Sequence, residues 1–63
     1  MNKLTDLILW NGTEVRINPE YIMALVDCHY EENGIRKGFS KMVLVNGLMY
    51  DFDLELDELE RLI

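Results

Sequence analysis

The chain has 63 residues and a formal net charge of −6, with a single Cys and a single His. That length makes one domain (1–63), and such a chain buries only about 60% of its unfolded surface, so its own core leaves it marginal. One cysteine excludes an internal disulfide, one cysteine with one histidine excludes a structural zinc site, and association with another chain is the remaining way to supplement a small core.

The charge is concentrated. Residues 51–61 hold six acids and one base, for −5, while the rest hold six acids and five bases, for −1. No basic stripe is present, so direct nucleic-acid binding is not expected. The opening "MNKLTDLILW" has one Lys and an apolar run broken by Asp6, unlike a signal peptide. No run reaches the ~18 apolar residues of a membrane span, so membrane insertion is not expected. A lone thiol fits a reducing, cytoplasmic compartment.

Asn-Gly occurs at 11–12, 33–34 and 46–47, each time between strand-like runs. The pair accepts the positive φ angles of a type I′ turn, so each is a hairpin signal. Strands are predicted near 4–10, 13–17, 23–31, 36–45 and 48–52. Between the second and third, Asn18 as N-cap and Pro19 at the first helical position predict one helical turn. After Phe52 the period changes: Leu56, Leu59, Leu62 and Ile63 take helical spacing, predicting a helix over 54–62 with Asp53 as cap and an Asp57–Arg61 pair.

The fold class is therefore α+β, mainly β: a curled five-stranded antiparallel sheet or small barrel with a C-terminal helix. Two-residue turns would place Ile8 against Val15, Val45 against Leu48, Val43 against Tyr50 and Lys41 against Phe52. In the central hairpin Glu31 would face Arg36 and Asp27 would face Ser40. The strands are apolar on both faces, where a sheet with one wet face alternates. One short helix cannot cover that surface, so Leu9, Trp10, Met42, Leu44 and Met49 are candidate interface residues. The plainer alternative is that a closed barrel and the helix bury them all.

No catalytic constellation stands out. Asp51-x-Asp53-x-Glu55 imitates the opening of a calcium loop, but Leu56 and Leu62 stand where Gly and a bidentate Glu are required, so no metal or other cofactor is expected. Asp27, His29 and Ser40 would share a face, yet nothing supplies a strained nucleophile turn or an oxyanion hole; an enzyme is not expected. Asp27, His29 and Glu31 would form a weak metal trio at best, and an ordinary solvent-facing strand explains them equally well. Cys28 points away from His29 and reads as a small core hydrophobe. Arg36, Lys37 and Lys41 beside Phe39 are too few for a nucleic-acid patch and suit a protected edge. Asp53, Glu55, Asp57 and Glu58 are either a solvated helix start or an electrostatic contact for a basic partner.

Two blocks carry a resemblance. "NGTEVRINPEYIMAL" (11–25) and "VLVNGLMYDFDLELDEL" (43–59) resemble the small flagellar or swarming-motility proteins of the FlbD type, through Asn11, Gly12, Glu14, Val15, Ile17, Asn18 and Ile22, then Gly47, Tyr50, Phe52, Leu56, Asp57, Glu58 and Leu59. Residues 29–40 exceed the family's length, Leu54 stands where it has an acid, and its basic C-terminal end is missing. The resemblance implies a small, cytoplasmic, non-enzymatic protein that acts by contact. The leading expectation is a homo-oligomeric protein–protein interaction module, in the family's setting a motility accessory protein. The alternative is a phage-type inhibitor or sequestering protein that blocks a host complex or traps a small ligand at an oligomer interface.

Overall fold

The computed structural model describes residues 3–63. The chain runs β1 (Thr5–Ile8), β2 (Glu14–Ile17), a single 3-10 turn (Pro19–Tyr21), β3 (Ile22–Glu32), β4 (Ile35–Leu44), β5 (Met49–Phe52) and α1 (Leu56–Leu62). The order agrees with the sequence reading, with element ends displaced by at most two residues. The 3-10 turn forms where Asn18 and Pro19 place it: the Asn18 side chain accepts from the Glu20 N–H at 3.0 Å.

The three Asn-Gly pairs do not make three identical turns. Asn33 and Gly34 both have positive φ, 53° and 76°, the two-residue turn expected, and it sets Glu31 opposite Arg36 and Asp27 opposite Ser40. At the other two sites only the glycine is left-handed, Gly12 at 88° and Gly47 at 91°. The asparagine instead folds its side-chain oxygen back onto an amide, Asn11 onto Thr13 N–H at 2.9 Å and Asn46 onto Leu48 N–H at 3.0 Å. Each loop thereby gains a residue: Leu9 N–H donates to the Thr13 carbonyl and Leu44 N–H to the Leu48 carbonyl, both at 2.8 Å. This is the three-residue hairpin loop closed by a left-handed glycine.

One extra residue shifts the whole register. Leu7, not Ile8, faces Val15. Ser40 faces Phe52, Met42 faces Tyr50 and Val43 faces Met49, correcting the expected Lys41–Phe52 and Val43–Tyr50 pairs. The shift puts Tyr50 and Phe52 on the same side of the sheet as Met42 and Leu44. In β1 and β2, Leu7 and Ile17 turn inward, while Asp6 and Arg16 pair outward at 2.9 Å.

The sheet does not close. β1 and β2 form a two-stranded sheet, and β3, β4 and β5 form a three-stranded one in that order. The barrel expectation fails on length: β1 and β2 have four residues each, whereas β3 and β4 have 11 and 10 and run on past anything that could close over them. At ~3.3 Å per residue that ribbon accounts for most of the 46 Å long axis of a molecule 19 Å across. The core lies where the short hairpin and α1 meet the inner face of the long sheet: Leu7, Ile17, Met42, Leu44, Phe52 and Leu59. Met42 and Leu44, expected at an interface, are 0% and 8% exposed because the corrected register turns them inward.

The cap of α1 also moves. Glu55, not Asp53, is the N-cap, and its N–H donates to the Glu58 carboxylate at 3.1 Å. Asp57 and Arg61 pair across one turn at 3.9 Å.

Candidate interaction surface

The two faces of the β3–β4–β5 sheet are built differently. On the inner face, β4 presents Gly38, Ser40, Met42 and Leu44 in alternation. The first two are small because the chain after β5 crosses directly above them. A methyl group added at Gly38 would lie 3.4 Å from the Glu55 side chain. Ser40 is fully buried and donates its hydroxyl to the Leu54 carbonyl at 2.8 Å. That bond holds the strand-to-helix junction on the sheet.

On the outer face the same strands present Ala24, Val26, Cys28 and Tyr30 from β3, Phe39, Lys41 and Val43 from β4, and Met49 and Asp51 from β5, following the registers and the pleat. No helix or strand of the described residues lies over them. One end is aliphatic, with Val43 between Ala24 and Met49. In the middle Lys41 and Asp51 face each other at 4.0 Å. At the far end is an aromatic cluster. The Trp10 ring, carried by the loop after β1, stands 5.0 Å from Phe39 and 5.3 Å from Tyr30, with Tyr30 and Phe39 5.9 Å apart. All three pairs are tilted or edge-on, the geometry that ring quadrupoles favour. The Trp10 backbone N–H donates to the Asp51 carbonyl at 2.9 Å, so the loop grips the free edge of β5 and lays the indole around it.

Trp10 is 41% exposed, Val26 41% and Met49 61%. Of the five interface candidates, Trp10 and Met49 lie on this face, whereas Leu9, Met42 and Leu44 pack within or against the core. Sequence reasoning missed Val26, Tyr30, Phe39 and Val43. The small side chains at alternate positions 38 and 40 were the available signal, because they mark which face of β4 another segment crosses.

The remaining candidates are dispersed. Ser40 and Asp27 are cross-strand neighbours, but the Ser40 hydroxyl is sealed in the core and His29 sits opposite Gly38. Asp27, His29 and Glu31 line up at alternate positions of β3, and no group of three or more His, Cys, Asp or Glu among the described residues is placed to hold a metal ion. Cys28 is half-buried on the outer face rather than in the core. Asp53, Glu55, Asp57 and Glu58 are all exposed; Glu58 serves the helix start and Asp57 pairs with Arg61. Lys37 bonds Glu32 at 2.9 Å, and that hydrogen bond, with the carboxylate's charge, raises its ammonium above the usual lysine value. A shallow groove of about 490 Å³ between β1 and the strand-to-helix junction is lined by Leu7, Leu9, Trp10, Asp53, Leu54 and Leu62 among others; these side chains are mostly apolar.

No helix of the described residues is long and apolar enough to cross a membrane. The chain matches no protein-family model, no curated protein and no solved structure.

Proposed function

We propose that the protein is a non-enzymatic protein–protein interaction module whose docking surface is the outer face of the β3–β4–β5 sheet. One observation carries this reading: the helix and the short hairpin both pack on the inner face, leaving the outer one apolar, aromatic at one end and uncovered. Rigid aromatic anchors beside a flexible Met are the composition of interface centres. The strands holding these side chains are fixed from behind by the core, so the surface is presented without an ordering cost. The site of action is the cytoplasm, where Cys28 stays a thiol. The resemblance to FlbD-type motility proteins supports an accessory role in motility as the setting.

A second reading, an inhibitor or sequestering protein that uses the acidic C-terminal segment as an electrostatic decoy, is supported by the −5 carried over residues 51–61. One experiment separates the two. A photocrosslinking residue is introduced in the source cell at Met49 on the outer face, and in parallel at Glu60 on the helix. The docking reading expects a discrete adduct from position 49. That adduct should disappear with Val26→Glu and persist when Asp53, Glu55, Asp57 and Glu58 become Asn or Gln. An adduct only from position 60, abolished by neutralising the acids, would overturn it in favour of the decoy.

A further inference from the structure

β3 is an end strand of its sheet, and its free edge can be read residue by residue. In β4, Leu44 bonds Leu48, so the even-numbered residues of β4 turn their backbone groups toward β5 and the odd-numbered ones toward β3. Across the registered pairs, Ala24, Val26, Cys28 and Tyr30 then bond β4. Leu25, Asp27, His29 and Glu31 aim their N–H and C=O groups outward. None of these four residues takes part in a backbone bond to another element among the described residues. The opposite edge differs, because there the Asp51 carbonyl accepts from Trp10. The free edge carries neither proline nor lysine; its charges are the acids Asp27 and Glu31, which disfavour any register that sets them against each other.

We infer that a second copy of this chain pairs along this edge, antiparallel, with Asp27 opposite the second copy's His29. A two-fold axis normal to the sheet makes the pairing antiparallel and self-complementary. The outward groups sit at odd positions, so only registers that pair odd with odd are open. Pairing Asp27 with itself opposes two carboxylates. Pairing His29 with itself opposes Asp27 and Glu31. Pairing Leu25 with Asp27 leaves the Asp27 carboxylate and the His29 ring without a polar partner and runs the contact through the irregularity at Ile22–Ala24. Pairing Glu31 with His29 confines the overlap to the tip. The remaining register sets Asp27 against His29 twice, as the symmetry requires, and overlaps from Ala24 to Glu32. On the outer face it brings Val26 opposite Tyr30 twice and Cys28 opposite Cys28. Two open apolar faces thereby become one continuous six-stranded surface. The inference uses an edge that the docking reading leaves free, and it extends that reading's surface across two copies.

The register is tested by cysteine position in the full chain. In a Cys28→Ser background, single cysteines are placed at 26, 28 and 30 and treated with diamide, which takes up two electrons and two protons from each pair of thiols. Position 28 should give a disulfide dimer by non-reducing mass spectrometry, since directly opposed strand residues fall within disulfide reach. Positions 26 and 30 should cross-link to each other when mixed, and each poorly to itself. Light scattering should show a dimer of the native chain, weakened about five- to tenfold by Asp27→Lys and restored by Asp27→Lys with His29→Asp. A monomer at all concentrations overturns the inference and leaves the edge for a strand of a different protein. A dimer that cross-links best through 26 or 30 alone overturns the register. Neither result touches the Met49 adduct that tests the docking face.

Discussion

Replacing Trp10 with alanine should cost about 2–3 kcal/mol of folding stability, although the residue lies in a loop and is 41% exposed. A fully covered indole contributes up to about 250 Å², so the covered three-fifths amounts to about 150 Å². At about 25 cal/mol/Å² this is worth close to 4 kcal/mol, an upper bound that residual burial in the unfolded chain and the retained methyl group reduce. A domain of this length is stable by about 3–9 kcal/mol, so the change removes a large share. The mechanism is specific. Trp10 is where the loop after β1 contacts the outer side of the long hairpin, through Phe39 at 5.0 Å and Tyr30 at 5.3 Å. Urea denaturation followed by far-UV circular dichroism measures the loss, because the fluorescence signal goes with the only tryptophan. A cycle with Phe39→Ala isolates the ring contact and should give a coupling of about 0.5–1.5 kcal/mol. A Trp10→Ala protein within about 0.5 kcal/mol of the native chain, or one whose effect adds to that of Phe39→Ala with no coupling, would show that the cluster does not hold the loop.

Ser40→Ala should cost about 1–3 kcal/mol in the same assay, since it leaves the Leu54 carbonyl without its buried donor. Glu58→Ala should cost about 0.5–1 kcal/mol through loss of the acceptor for the Glu55 N–H, and Glu58→Gln clearly less. Lys37 is raised above 10.5 by Glu32. Its contribution is therefore fully present below the unfolded-state lysine value and is lost as pH rises through the higher folded one. An alkaline titration followed by NMR at the Lys37 ε-carbon should show the raised midpoint, and Glu32→Gln should return it toward normal. If copies pair along β3, the urea midpoint should rise with protein concentration as apparent stability grows by up to about 1.4 kcal/mol per tenfold; a midpoint independent of concentration would count against pairing.

Element order, the 3-10 turn at Pro19 and the switch from strand to helix after Phe52 were legible because each rests on local chemistry. Register was legible at one hairpin of three. Asn-Gly serves two loop lengths: as two left-handed residues it closes a two-residue turn, and with Asn in ordinary helical geometry and only Gly left-handed it closes three. The choice depends on which side chains must face the core, a tertiary matter that no dipeptide encodes. The error carried forward. With Lys41 set opposite Phe52, Phe52 fell on the face opposite to Met42 and Leu44, and those two passed for interface residues. The capping error has a similar source: Asp53 and Glu55 are both acceptable caps, and the path over Gly38 and Ser40 decides between them.

The division of apolar side chains connects stability to function. Among the described residues six large apolar side chains are buried and twelve stay substantially exposed, Ile8, Tyr21, Met23, Val26, Ile35 and Met49 included. Much of this surplus follows from β3 and β4, each more than twice as long as the strands able to cover them. Shortening the ribbon would make the domain more compact and expose less apolar surface. The long ribbon instead presents Tyr30 and Phe39 on its outer face, where they meet Trp10, and carries the free edge from Leu25 to Glu31. The tip of that ribbon, residues 31–37, is exposed throughout and gains little intramolecular stability, so contacts between molecules are where its burial is completed. On this reasoning Val26 and the free edge of β3 contribute more to association than to folding, and the six core residues do the reverse.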